Sequence, residues 1–360
     1  MSILHEWNTL QTRRRFLGTG ANVLGAAALT SLLGSSLAHA APGAIKTQHL
    51  PKAKRVIYLH MVGGPSQMDL FDYKPKMKEM YDKDLPPSIR NGQRLTTMTS
   101  GQTRFPIAPS KFNFAQYGQS GMWMNSDLLP NLSKNADDIC WMRSLHTEAI
   151  NHEPAICAMQ TGNQVAGRPC IGSWVSYGLG SLNENLPAFV VLVAEPTNKE
   201  QIQAISARLW SSGYLSGEHS GVSFRSAGDP ILFINNPPGI PDTLRRSQLD
   251  GLRRLNEITH REVGDPETHT RIQQFEMAFR MQSSVPELTD ISREPAHVLE
   301  MYGPSVTERG TFAYNCLMAR RLVERGVRFV QLYMGIGSRW DSHTNLDEEH
   351  GRCCRESDKP

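Results

Sequence analysis

The chain has 360 residues, with 38 Lys and Arg against 35 Asp and Glu and a formal net charge of +3. This near balance, with no dense block of Lys or Arg, argues against a nucleic-acid or anionic-membrane partner. The ordinary apolar and charged content argues against a disordered chain. The first forty residues read as an export signal. Arg13-Arg14-Arg15-Phe16-Leu17 precedes a Gly- and Ala-rich apolar run to Leu37, and Ala38-His39-Ala40 supplies a small-x-small cleavage pattern. The run is too interrupted by Gly, Ser and Thr for a stable membrane span, so the segment is expected to be read by the twin-arginine translocase and removed. The protein would then work in the periplasm or outside the cell. Residues 41–360 remain, carrying about +1 once three Arg and Glu6 are removed, in one large α/β domain or two smaller ones.

Arg55–Val62 is a continuous apolar run ending at Gly63-Gly64, the pattern of a buried parallel strand. Further strands are expected at Ile139–Met142, Ala188–Val193 and Val327–Met334. Between them lie helical patterns. One spans Pro241 to about Val263, with Leu244, Leu249, Leu252, Leu255 and Ile258 at helical spacing. Asp265 and Pro266 read as the N-cap and first-turn proline of another, running to about Gln282. Ser305 with Glu308 reads as the capping box of a helix ending at Gly326, and a last helix begins near Leu346. Strands alternating with helices predict a mostly parallel sheet with helices on both faces. Residues 84–125 and 195–240, rich in Gly, Pro, Ser and Asn, read as surface excursions. Of the six cysteines, Cys140, Cys157 and Cys316 sit in apolar segments and are expected to be buried. No C-x-x-C pair points to structural zinc.

In open parallel sheets, sites form at the C-terminal ends of strands. Three strand ends carry polar clusters. After the first strand, Gly63-Gly64 permits close backbone approach, and Ser66 and Asp69 could face the space. Asp72 reads better as the cap of a helix starting near Lys74. The second cluster is His146–Pro154. Asn151 is a candidate N-cap, and His152 and Glu153 would stand at a helix N-terminus that favours an anion such as phosphate or sulfate. That segment reads either as a site or as a local hydrogen-bonded turn. The third is Trp340-Asp341-Ser342-His343, where Asp-x-His is a carboxylate–imidazole pair suited to Zn, Mn or Fe.

The twin-arginine segment, Gly63–Pro75, Arg143–Ala155, Thr161–Gln164, Gly167–Gly180 and Trp340–His343 together resemble a large bacterial family of exported, sulfatase-like proteins of unknown function in the alkaline phosphatase superfamily. The resemblance implies that superfamily's central, mostly parallel sheet flanked by helices, with a divalent metal (Zn, Mn, Ca or Mg) at the strand ends. It implies Asp69, Asp341 and His343 as metal ligands, and places His152 where phosphatases of the superfamily carry Ser or Thr, with Asn151 beside it. The chain has no Cys-x-Pro-x-Arg segment, so a sulfatase-type modified nucleophile is not expected. The family's later Gly-Glu-Phe-Gly-Arg and Asp-His segments are absent from the sequence. The domain over 41–360 is therefore expected to be C-terminally truncated, with metal held weakly or not at all. The first hypothesis is a metal-dependent hydrolase scaffold for sulfate or phosphate esters of small molecules or glycans, with no ester hydrolysis expected from the 360-residue chain itself. The alternatives are a non-catalytic exported binding or assembly protein on the same fold, or an inactive truncated product.

Overall fold

Val56–His60 forms β1, followed by the single turn α1 (Gln67–Leu70) and α2 (Pro87–Arg90). The computed structural model describes residues 52–90, 99–195, 205–225, 228–232, 234–335 and 337–360. The export signal expected over residues 1–40 lies outside them. A hairpin of β2 (Phe114–Tyr117) and β3 (Met122–Asn125) comes next, then α3 (His152–Thr161) and α4 (Ile171–Leu179). Strands β4 (Phe189–Ala194) and β5 (Val222–Phe224) follow. Helices α5 (Asp242–Val263), α6 (Pro266–Thr289), α7 (Ala296–Tyr302) and α8 (Phe312–Glu324) lead to β6 (Phe329–Met334) and α9 (Leu346–Ser357).

Strands β1, β4, β5 and β6 form one parallel sheet in the order β1-β6-β4-β5. The strand nearest the C-terminus is thus inserted beside the first, with Val56 opposite Phe329 and His60 opposite Tyr333. Alternation along β4 and β6 divides the core between the two faces. Val190, Leu192, Val330 and Leu332 pack with α8 through Leu317 and Leu322 on one face. Phe189, Val191, Phe329 and Tyr333 pack with Ile156 and Cys157 of α3 on the other. Helices cover both faces, and the fold is α/β. Among the described residues no helix is long and apolar enough to cross a membrane.

Local chemistry explains several boundaries. Asn151 Oδ1 accepts from the His152 amide at 2.7 Å, and Gly162, at φ 73°, ends α3 in the left-handed conformation. Gly264 does the same for α5, and Asp265 Oδ1 accepts from the Glu267 amide at 3.0 Å to start α6. Bidentate contact of Arg246 with Glu276, at 2.9 and 2.6 Å, joins α5 to α6.

Other boundaries differ from the sequence reading. β1 is parallel but not buried: it has one strand neighbour among the described residues, and Ile57 and Leu59 are 41% and 46% exposed. Ile139–Met142 is not a strand. Leu132–Asp138 is a kinked 3-10 turn, and the chain that follows uses Trp141 to pack on Phe71, at 5.2 Å between rings, and to donate to the Ala136 carbonyl. Cys140 is accordingly exposed. A four-residue apolar run cannot by itself distinguish pairing from such packing. Ser305 and Glu308 form no capping box: the Glu308 amide donates to the Ser305 carbonyl at 3.0 Å and ends the short 3-10 turn Pro304–Thr307, and α8 is capped instead by Thr311, whose Oγ1 accepts from the Tyr314 amide at 3.1 Å. α6 continues past Gln282 through Pro286 because Met281, Val285 and Leu288 on that stretch are buried. Asp72 caps no helix. It pairs with Lys74 at 2.7 Å and Arg143 at 3.0 Å, and the Lys74 hydrogen bond holds its carboxyl below the usual range. The surface excursions also contain structure that composition hid, the β2–β3 hairpin and β5.

His60 closes β1, with its ring edge-on to Tyr333 and its Nδ1 at 3.3 Å from the Tyr58 hydroxyl. Burial lowers its pKa from 6.5 to about 4. The unfolded chain therefore takes up a proton near pH 6.5 that the folded chain refuses until about pH 4. Stability present above pH 6.5 should fall across that window by about 3 kcal/mol from this group. Urea titrations of wild type and His60→Gln at pH 7 and 4.5 measure it. An equal loss in both proteins would remove His60 as the cause.

Candidate functional site

Because the strands run parallel, their C-terminal ends meet at one edge of the sheet. Three segments converge there. The chain leaving β1 turns through Gly63, at φ 104°. The chain leaving β6 docks on it, with the Trp340 amide donating to the Val62 carbonyl at 2.8 Å and the Asp341 amide to the Ser338 carbonyl at 3.0 Å. Space between them is minimal: a Cβ on Gly63 would lie 2.6 Å from the Asp341 nitrogen and 2.7 Å from the Trp340 nitrogen. Trp340 is 3% exposed and anchors the loop, its Nε1 directed at Met334 Sδ at 3.3 Å. The third segment is the start of α3.

At the meeting point, Asp341 Oδ2 lies 2.9 Å from His152 Nε2 and 2.9 Å from His343 Nε2. Two imidazoles from separate elements thus address one carboxylate oxygen. Asp341 is the most buried of the three, with side-chain exposures of 19% for Asp341, 28% for His152 and 43% for His343. Asn151 fixes the first turn of α3 and so the position from which His152 reaches. The rest of the 146–154 segment does not take part: His146 and Glu148 are exposed, and Glu153 pairs with Arg208 at 3.0 Å.

Asp69 is placed differently. Its Oδ2 accepts from Ser66 Oγ at 2.6 Å, and its carbonyl accepts from Asn125 Nδ2 at 2.7 Å. It connects to the Asp341 loop through His350, a residue the sequence reading passed over. His350 Nε2 accepts from the Ser66 amide at 3.0 Å, and its Nδ1 is 3.3 Å from Ser342 Oγ. Accepting from an amide requires an unprotonated Nε2, so the proton sits on Nδ1 and the imidazole is neutral. Burial, the dominant influence, lowers its pKa accordingly, against the opposing charges of Asp69 and Glu349. His350 is 1% exposed and stacks edge-on against Trp340 at 5.3 Å. It ties the Gly63–Asp69 turn to the Asp341 loop from beneath. Nothing in its sequence context, mid-helix in α9, marks it.

Among the described residues, no three His, Cys, Asp or Glu side chains are disposed as a metal-holding group. Ser66 Oγ donates to Asp69 Oδ2 within the α1 turn, and no such group among the described residues joins Asp69 with Asp341 and His343. The carboxylate of Asp341 and the imidazole of His343 are donor types that zinc and manganese accept, and both imidazoles here lie against the Asp341 oxygen.

Comparison with curated proteins found no match, and comparison with solved structures found none. A family model described as a protein of unknown function, DUF1501, matches residues 53–360, which spans β1, the Gly63 turn, α3 and the Asp341 loop. The chain belongs to the DUF1501 family.

Proposed function

We propose that the Asp341 cluster is the centre of a metal-dependent hydrolase of sulfate or phosphate esters, on an alkaline-phosphatase-like fold, in a protein exported by the twin-arginine route. The observation that carries the reading is the convergence of His152 and His343 on a single Asp341 oxygen at the C-terminal edge of a parallel sheet. Asp341 and His343 would hold the ion. A divalent metal there would supply Lewis-acid stabilisation of charge on the transferred group. The N-terminus of α3, capped by Asn151, favours the anionic ester group. His152, the first residue of that helix, would hold or release a proton at Nε2, with Asp341, 2.9 Å away, orienting the ring. Gly63 keeps the Asp341 backbone in place.

A second reading, a non-catalytic exported binding or assembly protein, is favoured by one observation: a histidine rather than a hydroxyl or thiol side chain occupies the start of α3. One set of measurements separates the two. Purified chain is assayed against aryl phosphates and aryl sulfates with zinc or manganese, beside elemental analysis. Under the hydrolase reading, Asp341→Ala loses both metal and turnover. His152→Ala loses turnover by roughly 100-fold or more, as removal of a general acid–base does, while keeping metal. No hydrolysis of either ester class by metal-loaded wild type leaves the binding reading. Cell fractionation of wild type and the Arg13→Lys/Arg14→Lys pair tests export; equal export of both sinks the twin-arginine assignment or moves it to Arg14-Arg15.

A further inference from the structure

At the opposite end of the sheet a cavity of about 650 Å³ opens between α5, α6 and the starts of β4 and β5. Its walls include Ala188 and Gly221, the residues that lead into those strands. The Asp341 cluster lies beyond the strands' other ends. The volume falls within the range of roughly 300–1,000 Å³ typical of small-molecule sites. Its lining is predominantly apolar, with Phe189, Ile231, Leu249, Met277 and Met281 contributing.

The polar groups on the wall are few, and most are already engaged. Gln282 Nε2 donates to the Ile234 carbonyl at 2.6 Å and to Asn236 Oδ1 at 2.9 Å. Gln274 accepts from Arg271, and Gln273 lies 3.1 Å from His269 Nε2. Ser176 Oγ is 3.1 Å from His219 Nδ1, and Glu218 sits 3.8 Å from the other nitrogen of that ring. Arg245 is the exception. It is half-buried on the wall, and no ion pair or hydrogen bond to its guanidinium joins it to any described residue. Its neighbour Arg246 is paired through both terminal guanidinium nitrogens with Glu276 and Asp250. A permanent cation beside an apolar cavity, with five N–H donors in a planar fork, matches a carboxylate bidentately.

We propose that this cavity binds an amphiphilic carboxylate, with its apolar body among Leu249, Met277 and Met281 and its carboxylate on Arg245. The chain would thus carry a ligand site separate from the Asp341 cluster. Specificity arises at Arg245, because an uncharged head group of the same chain length leaves the guanidinium without its partner.

Titration of the full chain with decanoate, below its micellar concentration, by calorimetry tests this, with decanol as the uncharged counterpart. Decanoate should saturate one site and bind at least 10-fold more tightly than decanol. Arg245→Gln should erase that preference while leaving decanol affinity unchanged. Ala278→Trp and Leu232→Trp, at exposed positions on the rim, should each weaken decanoate at least 10-fold, with thermal melts confirming that both variants fold. Failure of decanoate to saturate a single site overturns the proposal. So does a decanoate preference that survives Arg245→Gln, or decanoate binding that neither rim tryptophan affects.

Discussion

Gly63→Ala is expected to destabilise the protein by about 4 kcal/mol, combining backbone strain of about 1–3 kcal/mol with overpacking of about 1–3 kcal/mol. Both contributions arise at one atom. At φ 104° the residue occupies a conformation that L side chains rarely adopt. The added Cβ would meet the Asp341 and Trp340 nitrogens and the Ser338 carbonyl carbon at 2.6, 2.7 and 2.8 Å, all backbone atoms that cannot swing aside. The neighbouring Gly64 has a positive φ of 74° but open space around its Cβ position. Gly64→Ala should therefore cost only the strain term, about 1–3 kcal/mol. Chemical denaturation of the two variants checks the difference. A Gly63→Ala loss no larger than that of Gly64→Ala would show that the Asp341 loop yields easily and is not held against the β1 turn. If the loop is displaced rather than unfolded, the Asp341 contacts to His152 and His343 go with it.

The second large effect lies away from the site. Arg321→Ala is expected to cost about 3–5 kcal/mol, the range for removing one partner of a buried ion pair. Arg321 and Glu294 have side-chain exposures of only 8% and 10% and form an ion pair. The same guanidinium donates to the carbonyls of Leu288 at 2.7 Å, Glu287 at 3.0 Å and Asp290 at 2.8 Å. These are carbonyls at the C-terminal end of α6, which have no partners within the helix. The substitution would strand them together with the Glu294 charge, of which Arg320, at 2.6 Å, neutralises only part. A lower urea midpoint at unchanged slope is the expected reading. A loss below about 1 kcal/mol, the level of a surface pair, would mean that water replaces the guanidinium.

Both effects depend on contacts that link distant parts of the chain, and this marks the boundary of what could be read beforehand. The α/β class, β4 and β6 followed from continuous apolar runs, because a strand covered on both faces needs apolar residues at every position. The start of α3 at Asn151 and the start of α6 at Asp265 followed from capping chemistry, which is local by nature. The meeting of the Gly63 and 341–343 segments was foreseeable from topology, since both follow parallel strands that deliver their C-terminal ends to one edge; His152 joins them although no strand stands at Ile139–Met142, where one was expected before it.

What local chemistry could not supply was partner choice. β1 and β6 share the same apolar character, yet among the described residues one is an edge strand with Ile57 and Leu59 exposed and the other has all six residues buried. Strand order decides this, and strand order depends on how the whole chain packs. Ile139–Met142 failed as a strand for the same reason: Trp141 packs on Phe71 and donates to the Ala136 carbonyl rather than lying in the sheet. His350 was invisible because its partner Ser66 lies 284 residues away. The sequence alone determined which segments are apolar, the caps that start α3 and α6, and the polar groups that follow β1 and β6. The tertiary structure alone decided that Asp69 is held by Ser66, that His350 underpins the Asp341 loop, and that Arg245 lines a cavity with no partner among the described residues. Periodicity and capping act over a few residues, whereas burial and charge pairing are settled only when distant segments compete for the same space.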